Sequence, residues 1–457
     1  MRLSIPLSLA LLAAASAWAA PSPRPQIPIA YYKLPNGLKV VLSQDTSAPL
    51  VVVGVYYNIG FRIEPRDRTG FAHLFEHMMF QGSSNLGKME FIRLVEGNGG
   101  VLNGSTRFDF TNYFEVVPSH TLETMLWAES DRMRGLDITI DNLKNQQGVV
   151  SNEVKVNVLN APYGGFPWLD LPQHANKNWY NAHNFYGELK DIEAATLDDV
   201  KAFFRTYYAP NNAALVVVGD FDAPQTRAWI EKYFGSIPAS KLPAKPDLAE
   251  PPQEKQIWFS RVDPKAERPA FAIGYHIPPR LTPEHAAMVL LDTILGQGRD
   301  SLLYDELVRK RGFTDSVDAG INPLGDAYNY VGPMLWSANF IHDPINKPET
   351  LLAAIDGVIE KLHAAPLSQE TLDRALVKIR ADRYRYYGQF GGFGKADALA
   401  AFALFDDNPA VINRIEDDLA AVTPALIQKV AREWLRPANR TVLVLEAGAA
   451  APAKGGL

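Results

Sequence analysis

Asp191-Ile192-Glu193-Ala194-Ala195-Thr196 leads into a helical pattern from Leu197 to Tyr208, the turn Pro210-Asn211-Asn212 and an apolar run from Ala213 to Val218. The same plan returns 227 residues later (418 minus 191). There Asp418-Leu419-Ala420-Ala421-Val422-Thr423 leads into a helical pattern from Pro424 to Leu435, the turn Pro437-Ala438-Asn439 and the run Val442-Leu443-Val444-Leu445. Asp, Ala, Thr, Pro and Asn recur without a gap. In both copies Thr suits an N-cap, because its hydroxyl can accept an early helical N–H. Leu197 or Pro424 then takes the first helical position. The Pro-x-Asn ends the helix and turns the chain into a buried strand. Five identities at one offset point to a duplicated unit.

The join between the copies falls in Ile237 to Gln256, where Pro238, Pro243, Pro246, Pro251 and Pro252 stand among Lys, Asp and Glu. That composition reads as a semi-rigid extended linker. It divides the chain into a first domain over 26–240, a linker over 241–256 and a second domain over 257–450. Leu38–Leu42 and Leu50–Tyr57 read as Val-rich strands, and Val101–Val117 as two strands with a turn near Phe108-Asp109. Gly70–Phe80, Glu90–Glu96 and Leu122–Arg134 read as helices. In the second half Ala270–Tyr275 reads as a strand, and Pro283–Leu295, Leu351–Ala364 and Gln369–Tyr387 as helices. Strands mixed with helices in both halves predict an α+β fold of two duplicated domains.

Composition narrows the chemistry. The 457 residues are 47% hydrophobic and 21% charged, as in globular proteins rather than disordered or fibrous ones. Lys+Arg is 45 and Asp+Glu is 51, so the net charge is −6. A mildly acidic chain is a poor nucleic-acid binder, because phosphate contacts need clustered basic charge. There is no cysteine, which excludes disulfides, thiolate metal sites and cysteine nucleophiles. Any metal must be held by His and carboxylate. Arg2, the short apolar run Leu3–Ala15 and the A-x-A signal Ala17-Trp18-Ala19 read as a cleaved leader over 1–20. The run is too short for a membrane span. The expectation is an exported chain without a stable membrane anchor, periplasmic for a Gram-negative source.

The stretch from Thr69 to Phe80 contains His73-Leu74-Phe75-Glu76-His77, an H-x-x-E-H pattern. On a helix, positions i and i+4 share a face, so His73 and His77 can hold one metal ion. Glu76 lies beside that face, where a carboxylate can take a proton from a water without occupying the metal. With 9 His in the chain, chance supplies this pattern in roughly one chain in a hundred of this length. The rest of the stretch is apolar, so these side chains need a partner. A catalytic zinc takes three protein ligands and leaves one position open. Glu153 is the only acid between Asp141 and Asp170. On residues alone it is either the third ligand or a solvent-facing glutamate.

His73, Glu76 and His77, with Glu153 75 intervening residues beyond His77, resemble the pitrilysin and mitochondrial processing peptidase family of inverted-motif zinc endopeptidases. The resemblance extends to Gly99–Thr106, to Tyr208-Ala209-Pro210-Asn211-Asn212 through Asp220, and to Leu303–Gly312. It implies duplicated α+β halves in a clam-like architecture, one zinc ion per chain, and Glu153 as third ligand with Glu76 as general base. It also implies extended peptides as substrates, added to an edge strand where Asn103 and Gly104 hold the backbone.

The chain departs from this family in three places. Pro283–Gln297 carries no H-x-x-E-H. Leu302 and Asp315 stand where active assemblies carry a substrate-gripping Arg and Tyr. Gln146 stands where a second acid often precedes the third ligand. The resemblance therefore implies a heterodimer whose paralogous subunit supplies the Arg/Tyr pair; an enzyme active alone and a non-catalytic structural or binding subunit are the alternatives. Among weaker signals, Arg380–Tyr387 reads as a helix surface or subunit contact, Gly388–Gly394 as a hinge or contact loop, and His174 and His183 as surface histidines.

Overall fold

The computed structural model describes residues 26–448. The expected leader at 1–20 and the last two positions of the expected second domain, 449 and 450, lie outside the described residues. The first half runs β1 (Ala30–Lys33), β2 (Lys39–Gln44), β3 (Leu50–Tyr57), α1 (Phe71–Met78), α2 (Glu90–Gly97), β4 (Val101–Thr106), β5 (Thr111–Pro118), α3 (Leu122–Arg134), α4 (Ile140–Val154), α5 (Asp170–Ala175), α6 (Trp179–Ala182), α7 (Leu189–Ala194), α8 (Leu197–Tyr207), β6 (Ala213–Gly219) and α9 (Ala223–Phe234). The second runs β7 (Ile257–Asp263), β8 (Ala270–His276), α10 (Pro283–Gly296), α11 (Leu302–Tyr304), β9 (Asp318–Ile321), β10 (Leu335–Ile341), α12 (Pro348–Ala364), α13 (Gln369–Gly388), α14 (Phe393–Asp406), α15 (Val411–Ala420), α16 (Pro424–Trp434) and β11 (Arg440–Ala447). Residues 238–256 between them carry no helix or strand.

The two sheets repeat one topology. The first has the order β1-β2-β6-β3-β5-β4, the second β7-β11-β8-β10-β9. Without β1 the orders coincide, and in each the first and last of the five corresponding strands in the chain, β2 with β6 and β7 with β11, pair in parallel while the other pairs are antiparallel. The repeated side chains do the same work in both copies. Thr196 accepts the Asp199 N–H and Thr423 the Leu426 N–H, each at 3.2 Å. Asn212 donates to Tyr207 O and Asn58 O, and Asn439 donates to Trp434 O and His276 O. Each Asn thus ties the end of a helix to the end of a central strand.

The central strands are apolar throughout because both faces are covered. Val51, Val53, Val55 and Tyr57 of β3 point toward α1, α3, α8 and α9. Val52 and Tyr56 point the other way, into a core shared with the second half. There α14 lies across β2, β3 and β6. The cover is reciprocal, since α5 of the first half packs Leu171 against Ala272, Leu335 and Leu443 of the second sheet. A Cβ at Gly274 would stand 2.5 Å from Leu171 Cδ2. The turns that launch these two helices also correspond at the offset of 227. Tyr163 and Phe390 both have positive φ, as do Gly165 and Gly392. Gly388–Gly394 is therefore a contact segment, with Phe393 stacked on Phe114 at 3.8 Å. Among the described residues no helix is long and apolar enough to cross a membrane.

Candidate active site

Helix α1 turns Phe71, Leu74, Phe75 and Met78 into the core, leaving His73, Glu76 and His77 on its remaining face. It has no side-chain cap of the usual kind, because Gly70 sits in the left-handed region at φ 82°. A wholly buried carboxylate from upstream replaces the cap: Glu64 accepts the N–H groups of Gly70 and Ala72. An anion there also suits the positive end of the helix. Burial nevertheless pushes the Glu64 carboxyl up to about 8, against the pull of the two N–H groups. The imidazoles of His73 and His77 stand one turn apart, ring centroids 5.0 Å. His73 is buried and His77 half-buried.

Helix α4 packs against α1 and delivers Glu153 from its last turn. Glu153 Oε1 lies 3.5 Å from His73 Nε2, and Oε2 lies 3.2 Å from His77 Nε2. Tyr186 O–H donates to Oε1 at 3.3 Å. The two imidazoles hold the Glu153 carboxyl well below the usual carboxylate range. This donor set fits zinc. Three tetrahedral N/O ligands about 2.0–2.1 Å from an ion stand about 3.3 Å from one another, and the observed separations bracket that spacing. His73 Nδ1 has no hydrogen-bond partner, so packing orients that ring, with Tyr186 and Phe61 edge-on at 5.1 and 6.5 Å. Among the described residues, these three make the one group of His and acidic side chains close enough to share an ion.

Glu76 reaches toward β4. Its Oε2 accepts the Thr106 O–H at 2.7 Å. Strand β4 is the edge of its sheet, paired on one side by β5 and open on the other. Gly104 lets it approach the helix: a Cβ there would stand 3.3 Å from both Glu76 Cγ and Tyr113 Cδ1. Asn103 is exposed, and its Oδ1 accepts the Gly104 N–H at 2.9 Å. A second carboxylate, a metal-type donor set and an open strand edge thus meet at one place.

Other expected positions lie apart from this group. Gln146 is buried and donates to Asn145 Oδ1. Leu302 is half-buried, and Asp315 is exposed with Arg268 3.8 Å away. His183 corrects the surface expectation: it is buried, with its ring nitrogens 3.0 Å from Trp179 O and 2.9 Å from Phe61 O. His174 stacks on Phe259 at 3.6 Å. Sequence reading missed Thr106, Tyr186 and Glu64. For Glu64 a signal existed, an acid shortly before a helix that opens on glycine; Tyr186 carried none.

Comparison with known proteins places the chain among peptidases of one family. A family model described as insulinase (peptidase family M16) matches residues 39–162, and one described as peptidase M16 inactive domain matches residues 194–378. The chain is 29% identical to the zinc protease PqqE of Helicobacter pylori over 76% of this chain and 78% of that one. It is 22% identical to a probable mitochondrial-processing peptidase β subunit of Arabidopsis thaliana, over 58% of this chain and 49% of that one. The crystal structure of a protease from Helicobacter pylori superposes with a TM-score of 0.85 at 26% identity, over 92% of this chain and 100% of that one. The periplasmic protease PqqL of Escherichia coli shares the fold at a TM-score of 0.72 and 16% identity, over 91% of this chain and 47% of that one. The two family models together take in more than half of the sequence, the second running from the end of the first half into the second, and the chain belongs to the insulinase family of peptidases, family M16.

Proposed function

We propose that this chain is a zinc-dependent endopeptidase that cuts extended peptides or small unfolded proteins. The observation that carries the reading is the meeting of His73, His77 and Glu153 beside Glu76 and the open edge of β4. Held by the first three, one zinc ion per chain would supply a Lewis acid for the scissile carbonyl and activate water. The peptide adds to β4 through main-chain hydrogen bonds, with Asn103 and Gly104 at the point of contact. Glu76 accepts the proton of the attacking water and passes it to the leaving amine. Thr106 orients the Glu76 carboxylate for both transfers. Tyr186 steadies Glu153.

Leu302 and Asp315 offer no guanidinium or phenol to grip the substrate. The assembly we propose is a heterodimer with a paralogue bearing an Arg and a Tyr there. PqqL, whose first half alone has this fold over 92% of this chain, shows that the unit also occurs within a longer chain. The leader-like residues 1–20 support export to the periplasm. The same two positions favour a second reading, a non-catalytic subunit of this fold. Zinc content and peptide cleavage, with and without the co-encoded paralogue, separate the two. Cleavage that Glu76→Gln lowers by about 10²–10⁴ with zinc retained supports the first reading. Zinc-free protein inert in both settings supports the second.

A further inference from the structure

Residues 60–64 form a short strap between β3 and α1. One side of it holds α1 through Glu64. The other side is bonded to the β4–β5 turn: Phe61 N–H donates to Arg107 O at 3.0 Å and Arg62 N–H to Phe108 O at 2.8 Å. A Cβ at Gly60 would lie 2.5 Å from Arg107 O and Phe110 N, so the contact requires glycine. Arg62 Nε lies 3.5 Å from Asp109 Oδ1, with both side chains 3% exposed. Its guanidinium also lies over the Phe108 ring at 5.3 Å.

The second half grips the same turn. Val331 N–H donates to Asp109 Oδ2 at 2.8 Å. Arg107 Nη1 donates to Leu324 O. Gly332 presses on the guanidinium: a Cβ there would lie 1.8 Å from Arg62 Nη1. Arg62 is 2% exposed and has no solvent to withdraw into. Taking two charges out of water cancels most of what their attraction gains, so the pair contributes placement more than stability. An edge strand bonded on one side depends on its turn for its position, and this turn is built from both halves.

We propose that the half without a metal motif positions the peptide-docking strand, through Val331 and Gly332 acting on the Arg62–Asp109 pair. This rests on β4 being the docking strand of a peptidase. Arg62 and Asp109 are positioning residues: they touch neither the metal-type donors nor Glu76. Displacing the turn moves β4 while His73, His77 and Glu153 stay on α1 and α4.

The test compares Gly332→Ala and Asp109→Asn with the wild type, the second keeping an acceptor for Val331 while removing the charge. With an extended fluorogenic peptide, both variants raise KM about tenfold, lower kcat by less than KM rises because Thr106 shifts with β4, and leave zinc affinity unchanged. By hydrogen-exchange mass spectrometry, amides of residues 101–106 exchange about tenfold faster and those of 71–78 do not. Unchanged KM and unchanged exchange at 101–106, or zinc affinity lost in step with kcat, overturns the proposal. Should the wild type cleave nothing both alone and with its paralogue, the peptidase reading falls, and the exchange comparison by itself decides whether the second half places residues 101–106.

Discussion

Replacing Glu64 by Gln should change how stability depends on pH, and the structure sets the size of the effect. The carboxyl is fully buried and titrates near 8 in the folded chain, against an ordinary 4.5. Below the lower value both folded and unfolded chains hold the proton, and the stabilisation is fully present. Between the two values the folded chain binds the proton and the unfolded chain does not, so stability falls as pH rises. Above the upper value both have lost it. The gap of 3.5 units (8 minus 4.5) corresponds to about 5 kcal/mol, an upper bound because relaxation and water entry reduce it. Gln carries no titrating proton, so the variant lacks this slope. It also turns an NH2 toward one of the two helix N–H groups, which costs about 1–3 kcal/mol at acid pH. Urea unfolding at saturating zinc, at about pH 5 and about pH 9, measures both effects, because the other titrating groups cancel in the difference between proteins. The wild type should be the more stable at the lower pH, and the balance should move toward the variant by several kcal/mol at the higher. Parallel pH dependence in the two proteins would refute the assignment of a buried, proton-holding Glu64.

Three further outcomes follow from the geometry. Glu153→Gln removes the charge facing both imidazoles, so zinc affinity should fall by at least about 100-fold in a competition assay with a chromophoric chelator; unchanged affinity removes Glu153 from the ligand set. Gly104→Val drives methyl groups into Glu76 and buried Tyr113, so cleavage should drop by about 100-fold while zinc is retained. Tyr56→Phe deletes the buried hydrogen bond from β3 to Asp397 Oδ1 on α14, 3.0 Å long. Unfolding in urea should show a loss of about 1.5–3 kcal/mol, with zinc affinity untouched.

The reach of sequence reading here can be judged on particular residues. The expected helix over Gly70–Phe80 forms as Phe71–Met78, and the expected strand Leu50–Tyr57 forms over those same residues. Both had strong periodic patterns. β7 escaped notice because its residues alternate between half-buried and exposed, as suits an edge strand with a solvated side. β9 and β10 also went unread, although β10 is mostly buried. On residues alone Glu153 stood out as a lone acid in an apolar stretch, and the family resemblance implied it as third ligand. The structure turned that into a carboxylate 3.2 Å from His77 Nε2.

Taken alone, the sequence determined that one α+β unit occurs twice and that one copy carries a histidine–glutamate helix. Both are local facts, since spacing along a helix or strand decides which side chains share a face. Tertiary structure alone decided that α14 and α5 cross over to cover each other's sheet, that Thr106 meets Glu76, and that Val331 and Gly332 close on Arg62 and Asp109. Those partners lie tens to hundreds of residues apart, and the packing of whole layers brings them together, which no local period encodes.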